Sequence, residues 1–238
     1  LYDTGPRYSA ETDAGQRVLV PLLVALGERL DRVVISHQDS DHSGGANSVL
    51  KMQPQADVLT SIPSDHLLRT THPMQTCTAG QKWQWDGVYF SVLHPQQADY
   101  VKKLKPNALS CVLLIESASG KSALLVGDIE ATQENQLVQS GVNLKSDWLL
   151  VPHHGSATSS TQSFLKAVSP SIAWVQAGYR NRFGHPRQDV IARYEALDIR
   201  VFQSIWCGAS VWQSDKPERM RCVREEQRRY WHHATPPR

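Results

Sequence analysis

The sequence contains no long hydrophobic run. Its most apolar stretch, VLVPLLVAL at residues 18–26, is only nine residues long, whereas a helix that crosses a bilayer needs about 20 apolar residues. The opening residues, LYDTGP, read as a strand end and a turn, which is not the pattern of a secretory signal peptide. We therefore expect no membrane span in this stretch of chain.

Cysteine is scarce and charge is nearly balanced. The cysteines form no CxxC pair, which excludes a zinc ribbon and leaves buried thiols or one or two bridges open; they are Cys77, Cys111, Cys207 and Cys222. The net charge of +2 does not by itself indicate a nucleic-acid partner. Two local segments are more basic, namely RNRFGHPR at 180–187 and a C-terminal tail, 214–238, that we expect to be partly disordered. A plain solvated surface is the alternative for both segments.

Three predicted strands end on polar groups. DRVVIS (31–36) leads into His37, KSALLVG (121–127) into Asp128 and SDWLLVP (146–152) into His153. Further strands are predicted at 88–94, 110–117, 171–177, 199–204 and 209–213, and helices at 17–30, 129–141, 161–168 and 187–197. Strands and helices alternate in the later half, and 238 residues suffice for one large core. The chain is therefore predicted to be an α/β domain with helices covering a mixed sheet.

The segment SHQDSDHSGG at 36–45 contains the side chains that most directly indicate a chemical function. It places His37, Asp39, Asp41 and His42 in six consecutive positions directly after a buried strand. Imidazole nitrogens suit zinc, manganese or iron, and carboxylates can bridge two metals roughly 3.5–4 Å apart. The alternative is a polar loop in which Asp41 or Ser43 caps the next helix. Four donors so close together favour the metal site.

This segment resembles the H-x-H-x-D-H metal motif of the metallo-β-lactamase superfamily, with Asp39 where most members have the second histidine. The H-x-D-x-D-H form is similar to that of the C-terminal domain of ComEC-type competence proteins. Other motifs resemble that family in the same order; they are LYDTGP (1–6), NALSCVLLI (107–115), GDIE (127–130), PHHGS (152–156) and NRFGHP (181–186). Leu150 departs from the pattern, because the family often has a lysine there.

The resemblance implies a metallo-β-lactamase αββα sandwich over residues 1–213, with two mixed sheets flanked by helices. It also implies one or two divalent ions, Mn²⁺ or Zn²⁺. The implied metal ligands are His37, Asp39, Asp41, His42, Asp128, His153 and His154. One of His153 and His154 joins His37 and Asp39 at the first ion, Asp41 and His42 bind the second, and Asp128 lies between the two ions.

The resemblance also assigns roles around the metals. Asp3 supports the metal loop, and Asp41 and His185 are the implied catalytic residues, with a structural role as the alternative for His185. The implied substrate-binding residues are Asn107, Ser110, Ser156, Arg180, Arg182 and Arg187. Ser156 could instead cap the helix that is predicted near Ser159. The superfamily's separate histidine has no clean counterpart, and His94, at a strand end before a proline, is read mainly as structural.

The function implied by the resemblance is a nuclease or phosphodiesterase of bacterial DNA uptake, which hydrolyses DNA, in particular the strand that is not imported. Single-stranded DNA and other uptake components are the implied partners. The implied location is the periplasmic side of the inner membrane, with attachment through an N-terminal region outside this chain. Two alternatives stay open: a non-catalytic domain that binds DNA or a partner, and a small-molecule hydrolase such as a lactonase or thioesterase.

Overall fold

The computed structural model describes residues 1–230, which divide into two compact units. The first unit comprises Leu1–Gln81, Val92–Leu113 and Val126–Asp128. The second unit comprises Lys82–Ser91, Leu114–Leu125 and the chain from Ile129 onward. Within residues 1–230 no helix is both long and apolar enough to cross a membrane.

The first unit contains a three-stranded sheet in the order β1 (Arg32–Ile35), β2 (Asp57–Thr60) and β3 (Gln75–Thr76). A π-helical turn (Gly15–Leu19) continues into α1 (Val20–Leu26), and the other helices are α2 (Ser40–Ser43), α3 (Ala46–Met52) and α4 (Leu67–Thr71). Val33 and Ile35 of β1 pack in one core with Val49 and Leu50 of α3. The strand pairs are parallel, because helices connect β1 to β2 and β2 to β3. This sheet is therefore parallel. The expectation that both sheets are mixed is wrong for this sheet.

A second, seven-stranded sheet is mixed. Its strands, in chain order, are β4 (Lys82–Trp85), β5 (Val88–His94), β6 (Val112–Glu116), β7 (Ser122–Leu125), β8 (Trp148–Leu150), β9 (Ile172–Val175) and β10 (Arg200–Gln203). Strands that are consecutive in the chain are neighbours in the sheet, which runs from β10 at one edge to β4 at the other. β4 and β5 form an antiparallel hairpin, whereas β7 to β10 pair in parallel. The parallel crossovers are α5 (Ala131–Gln139), α6 (Gln162–Val168) and α7 (Gln188–Glu195). The predicted α/β class is confirmed.

The second unit ends in a small hairpin module. It consists of α8 (Ser204–Cys207), β11 (Ser210–Trp212), β12 (Met220–Cys222) and α9 (Val223–Glu226). The two strands are antiparallel, and Cys207 is disulfide-bonded to Cys222, with the two Cα atoms 4.5 Å apart. β12 and α9 lie within the range predicted as a tail, and residues 231–238 of that tail lie outside the described residues. The domain boundary at residue 213 stays a prediction.

Cys77 and Cys111 form a second disulfide in the first unit. The open question of thiols or bridges is therefore answered by two bridges. Cys111 adjoins Ser110, and its backbone N–H donates to the carbonyl of Ser36 at 2.9 Å. The hydrogen bond holds the start of β6 beside the polar loop that follows β1, and the bridge ties the same point to the end of β3.

We expect the hairpin module to depend on its disulfide. The bond closes a loop with a sequence separation of 15, and a bridge over such a loop stabilises a fold by about 3 kcal/mol, mainly by restricting the unfolded chain. Replacing Cys207 and Cys222 together by alanine should lower the free energy of unfolding of this unit by about that amount, as measured by urea denaturation. An unchanged denaturation midpoint would contradict this expectation, and the same measurement on Cys77→Ala/Cys111→Ala is the control in the other unit.

Candidate metal centre

The polar residues after β1 are placed by the end of that strand. Ser36 and His37 continue the buried strand, and Asp39 is the N-cap residue of α2, which carries Asp41 and His42 on its single turn. Within residues 1–230 the Asp39 side chain makes no capping hydrogen bond. The alternative reading, in which Asp41 or Ser43 caps a helix, is therefore wrong: both residues lie inside α2. The short turn instead holds four polar side chains at one strand end.

Asp41, His42 and Asp128 form a cluster within the first unit. Each offers one ligand atom, and these atoms lie within 4.8 Å of one another. His42 Nε2 is 3.1 Å from Asp128 Oδ1 and 3.9 Å from Asp41 Oδ2. His42 and Asp128 are buried and Asp41 is exposed. Two carboxylates and an imidazole nitrogen around one point are a donor set that divalent metals bind.

His42 is oriented by Asp3. Its Nδ1 is 2.7 Å from Asp3 Oδ2, and since a carboxylate only accepts, the ring N–H must donate. That leaves Nε2 facing Asp128. Burial alone would lower the pKa of His42, but the carboxylates of Asp3 and Asp128 raise this pKa well above its usual value. Such a carboxylate behind a ligating histidine fixes its tautomer and strengthens it as a ligand.

His37 is held in the same way. Ser36 Oγ donates to Asp3 Oδ2 at 2.9 Å and therefore accepts from His37 Nδ1, which is also 2.9 Å away. His37 Nε2 is buried and has no hydrogen-bond partner in the described part of the chain. Its nearest ionic neighbour is Asp39 Oδ2 at 3.5 Å. A buried nitrogen without a partner is costly, and a bound ligand at this atom would remove that cost.

Ser110 contacts both His37 and Asp128. Its hydroxyl is 3.4 Å from His37 Nδ1 and accepts from the backbone N–H of Asp128 at 3.0 Å. A Cβ on Gly127 would come within 3.0 Å of that hydroxyl, and the φ of Gly127 is +54°, so glycine is required there. Ser110 is completely buried. Its observed contacts are those of a residue that positions ligands, while its predicted role in substrate binding stays a prediction.

His94 was predicted to be mainly structural. It ends β5 and is buried, and its Nδ1–H donates to the carbonyl of Ser110 at 2.9 Å. Burial lowers the pKa of His94, so its ring is neutral. Among the described residues its Nε2 has no hydrogen-bond partner, and Asp99 Oδ2 is 3.9 Å away. His94 thus contacts the residue that supports His37, a proximity that its position before a proline did not reveal.

The two remaining implied metal ligands lie in the second unit. His153 and His154 sit in the tight turn Pro152–Gly155, and both have left-handed backbone angles. His153 Nδ1 is 3.3 Å from Glu130 Oε1, and His154 Nδ1 donates to the carbonyl of Gln176 at 2.7 Å. Because Nδ1 carries the proton, Nε2 of His154 has the lone pair that a metal requires.

The HHGS turn and the loop that carries His185 are packed together. A Cβ on Gly155 would lie 2.6 Å from Pro186 Cβ, and Arg187 N–H donates to the Gly155 carbonyl. The rings of His153 and His185 are 5.8 Å apart. The structure therefore brings His185 to the histidine pair, which spacing in the sequence could not establish.

The predicted substrate-binding residues differ from one another in burial and in the contacts that they make. Ser156 is buried and contacts Thr158, and the N-cap of α6 is Thr161, so Ser156 does not cap that helix. Arg180 and Arg182 are exposed and lie over aromatic rings, and Arg187 is 3.8 Å from Asp189. Asn107 lies in a 3₁₀ turn, Pro106–Leu109, in the first unit.

Comparison with solved structures finds proteins that are described as metallo hydrolases or as metallo-β-lactamase fold proteins. One is Igni18, a metallo hydrolase from Ignicoccus hospitalis, which is 19% identical and matches with a TM-score of 0.45 over 73% of this chain and 75% of that one. Another is YhfI from Bacillus subtilis, which is 10% identical and matches with a TM-score of 0.45 over 76% and 79%. No family model matches the chain. The chain's own sheets and flanking helices are those expected of the metallo-β-lactamase fold class that the sequence predicted.

Three curated relatives are similar over most of this chain. They are competence protein ComA of Neisseria gonorrhoeae (39% identical, over 88% of this chain and 28% of the relative), recombination protein 2 of Haemophilus influenzae (34%, over 81% and 23%) and ComE operon protein 3 of Bacillus subtilis (32%, over 86% and 28%). The chain spans less than a third of each relative. It is therefore similar in sequence to one part of each of these longer proteins.

Proposed function

We propose that this chain is a metal-dependent nuclease, a phosphodiesterase that hydrolyses DNA as one domain of a ComEC-type uptake protein. The observation that carries the proposal is the cluster of Asp41, His42 and Asp128, whose ligand atoms lie within 4.8 Å of one another. Its buried members are oriented by Asp3 and Ser110, which a merely polar loop would not need.

The donor set fits a divalent ion, and we propose Mn²⁺ or Zn²⁺, with one or two ions bound. Asp41 and His42 would hold one ion and His37 and Asp39 another, with Asp128 between them. The buried, unpartnered Nε2 of His37 supports this assignment. From the resemblance, we assign the remaining ligand to His153 or His154, and the Nδ1–H bond of His154 favours His154. A carboxylate in place of one histidine makes the ligand set a harder Lewis base, which favours the binding of manganese.

When bound, such ions lower the pKa of water toward neutrality and neutralise charge on a phosphoryl oxygen. The chain's own side chains supply the proton transfers and the contacts with the substrate. Asp41 is an exposed carboxylate that can accept a proton from the attacking water. His185 contacts the substrate phosphate or protonates the leaving oxygen. Arg180, Arg182 and Arg187 hold neighbouring phosphates by charge-assisted hydrogen bonds, and Asn107, Ser110 and Ser156 complete the substrate site.

The relatives' names support a role in DNA uptake, where we propose that the domain degrades the strand that is not imported. The partners would be single-stranded DNA and other uptake components. We place the domain on the periplasmic side of the inner membrane, attached through an N-terminal region of the whole protein. Two disulfides support this side, because such bonds persist in the oxidising periplasm.

The proposal is tested by degradation of end-labelled single-stranded DNA by the purified domain with added Mn²⁺. Asp41→Ala and a chelator should each lower the cleavage rate by at least about 100-fold. The matched control is Asp57→Ala, since Asp57 is also an exposed aspartate of the first unit but contacts Arg32 instead. Loss of cleavage with the chelator and with Asp41→Ala alone supports a metal nuclease. A folded, metal-binding protein that leaves DNA intact contradicts it and favours a non-catalytic domain.

A further inference from the structure

The loop of residues 178–187 in the second unit, which we call the arginine–aromatic loop, alternates basic and aromatic side chains. Its sequence, GYRNRFGHPR, has three arginines and no acidic residue. Tyr179 and Phe183 are 54% and 59% exposed. A single exposed aromatic side chain needs no explanation, but two in one short, purely basic loop form a distinctive surface.

Each ring of the loop is paired with a cation. The Arg180 guanidinium lies over the Tyr179 ring, 5.3 Å from its centroid, and that of Arg182 lies over Phe183 at 4.7 Å. Phe183 also stacks on His185, with centroids 5.8 Å apart and ring planes 25° apart. The surface therefore offers flat π-systems with phosphate-binding groups directly beside them.

Hydrogen bonds within the loop and at its two ends hold its backbone in place. The Asn181 side chain donates to the carbonyls of Gly178 and His185 and accepts from the His185 N–H at 3.0 Å. Before the loop, Ser204 Oγ bonds both backbone groups of Ala177; after it, Arg187 N–H donates to Gly155. A binding surface that is fixed before the ligand arrives loses less entropy on binding.

We propose that the arginine–aromatic loop is a stacking platform for unpaired DNA bases, with Tyr179 and Phe183 as the rings and Arg180 and Arg182 on the flanking phosphates. This inference rests on the proposed function, because it assumes a DNA substrate. Bases stack on aromatic side chains whatever their sequence. A duplex hides those base faces in its own stack, so the loop selects single strands over duplexes.

The experiment measures binding of a short fluorescent oligothymidylate in the presence of chelator, so that no strand is cut. It is compared with an abasic strand of the same length, which keeps every phosphate and lacks the bases, and with a duplex. The unaltered protein should bind the base-containing strand about tenfold more tightly than the abasic strand. Tyr179→Leu/Phe183→Leu should remove that preference and leave abasic binding unchanged, whereas Arg180→Gln/Arg182→Gln should weaken both strands alike and reduce the salt dependence.

The matched control is Tyr8→Leu. Tyr8 is 53% exposed and has Arg17 over its ring at 5.6 Å, but it lies in the first unit, outside the loop. It should leave the preference intact. The inference is overturned if the unaltered protein binds both strands equally, or if the Tyr179→Leu/Phe183→Leu variant keeps the preference. If single strands are then still cleaved with metal, the nuclease proposal survives; if the protein neither binds nor cleaves DNA, both proposals fail.

Discussion

Replacing Asp128 by asparagine is expected to weaken divalent-metal binding by more than about 100-fold. Removal of a group that merely supports a ligand typically costs 10- to 100-fold, and we propose Asp128 as a ligand itself. Its Oδ1 is 3.1 Å from His42 Nε2 and the residue is buried. Asparagine keeps the shape of the side chain and removes the negative charge that would offset the positive charge of the ion.

Two measurements check this expectation. Titration calorimetry with Mn²⁺ reports the affinity directly. Thermal unfolding reports it independently, because a ligand at 100 times its dissociation constant adds about 2.7 kcal/mol of stability. The unaltered protein should therefore become more stable on addition of Mn²⁺, while Asp128→Asn should not.

A control separates the carboxylate from the fold. Asp147 is an aspartate outside the cluster, whose carboxylate accepts from the backbone N–H of Ser122 and pairs with Lys121. Asp147→Asn should leave metal affinity unchanged. If Asp128→Asn binds Mn²⁺ as tightly as the unaltered protein, Asp128 is not a ligand and the assignment of the cluster is wrong.

The parts of the site that follow strand ends could be predicted from sequence. Apolar runs leading into His37, Asp128 and His153 indicated strands, and β1, β7 and β8 occur where these runs lie. The short spacing of Asp41 and His42 already placed them on one turn. Periodicity and spacing are enough for such local features, because they depend on neighbouring residues alone.

The supporting contacts could not be predicted in the same way. Ser36 and Ser110 were read as a strand residue and a substrate-binding residue, and only the three-dimensional structure shows their hydroxyl groups beside His37. The strands β3 and β4 were among those missed: β3 has only two residues, and β4 is largely exposed, so neither shows a clear apolar pattern. Contacts between distant residues leave little trace in local spacing.

Replacing Asp3 by asparagine is the second large effect that we expect. Asp3 has a left-handed φ of 56°, which asparagine tolerates. The amide oxygen of asparagine can still accept from the Ser36 N–H, but its NH2 group, in place of Oδ2, can accept from neither the Ser36 hydroxyl nor the His42 ring. His42 thus loses its orienting partner, and metal affinity should fall by about 10- to 100-fold.

The same substitution should change the titration of His42 in the metal-free protein. The Asp3 charge is one of the groups that raise the pKa of His42 against the opposing effect of burial. Without that charge the pKa must move down, toward the value that burial favours. NMR titration of the His42 ring protons measures this directly and does not depend on catalysis.

Asp13→Asn is the matched control, since that carboxylate also lies in the first unit and accepts from a backbone N–H and a serine hydroxyl, those of Gln16 and Ser48. It should change neither the His42 pKa nor the metal affinity. A role for Asp3 in folding alone predicts lower stability with an unchanged affinity in the folded fraction. A drop in both the His42 pKa and the affinity requires instead that Asp3 act through the imidazole, as a positioning residue of the metal centre.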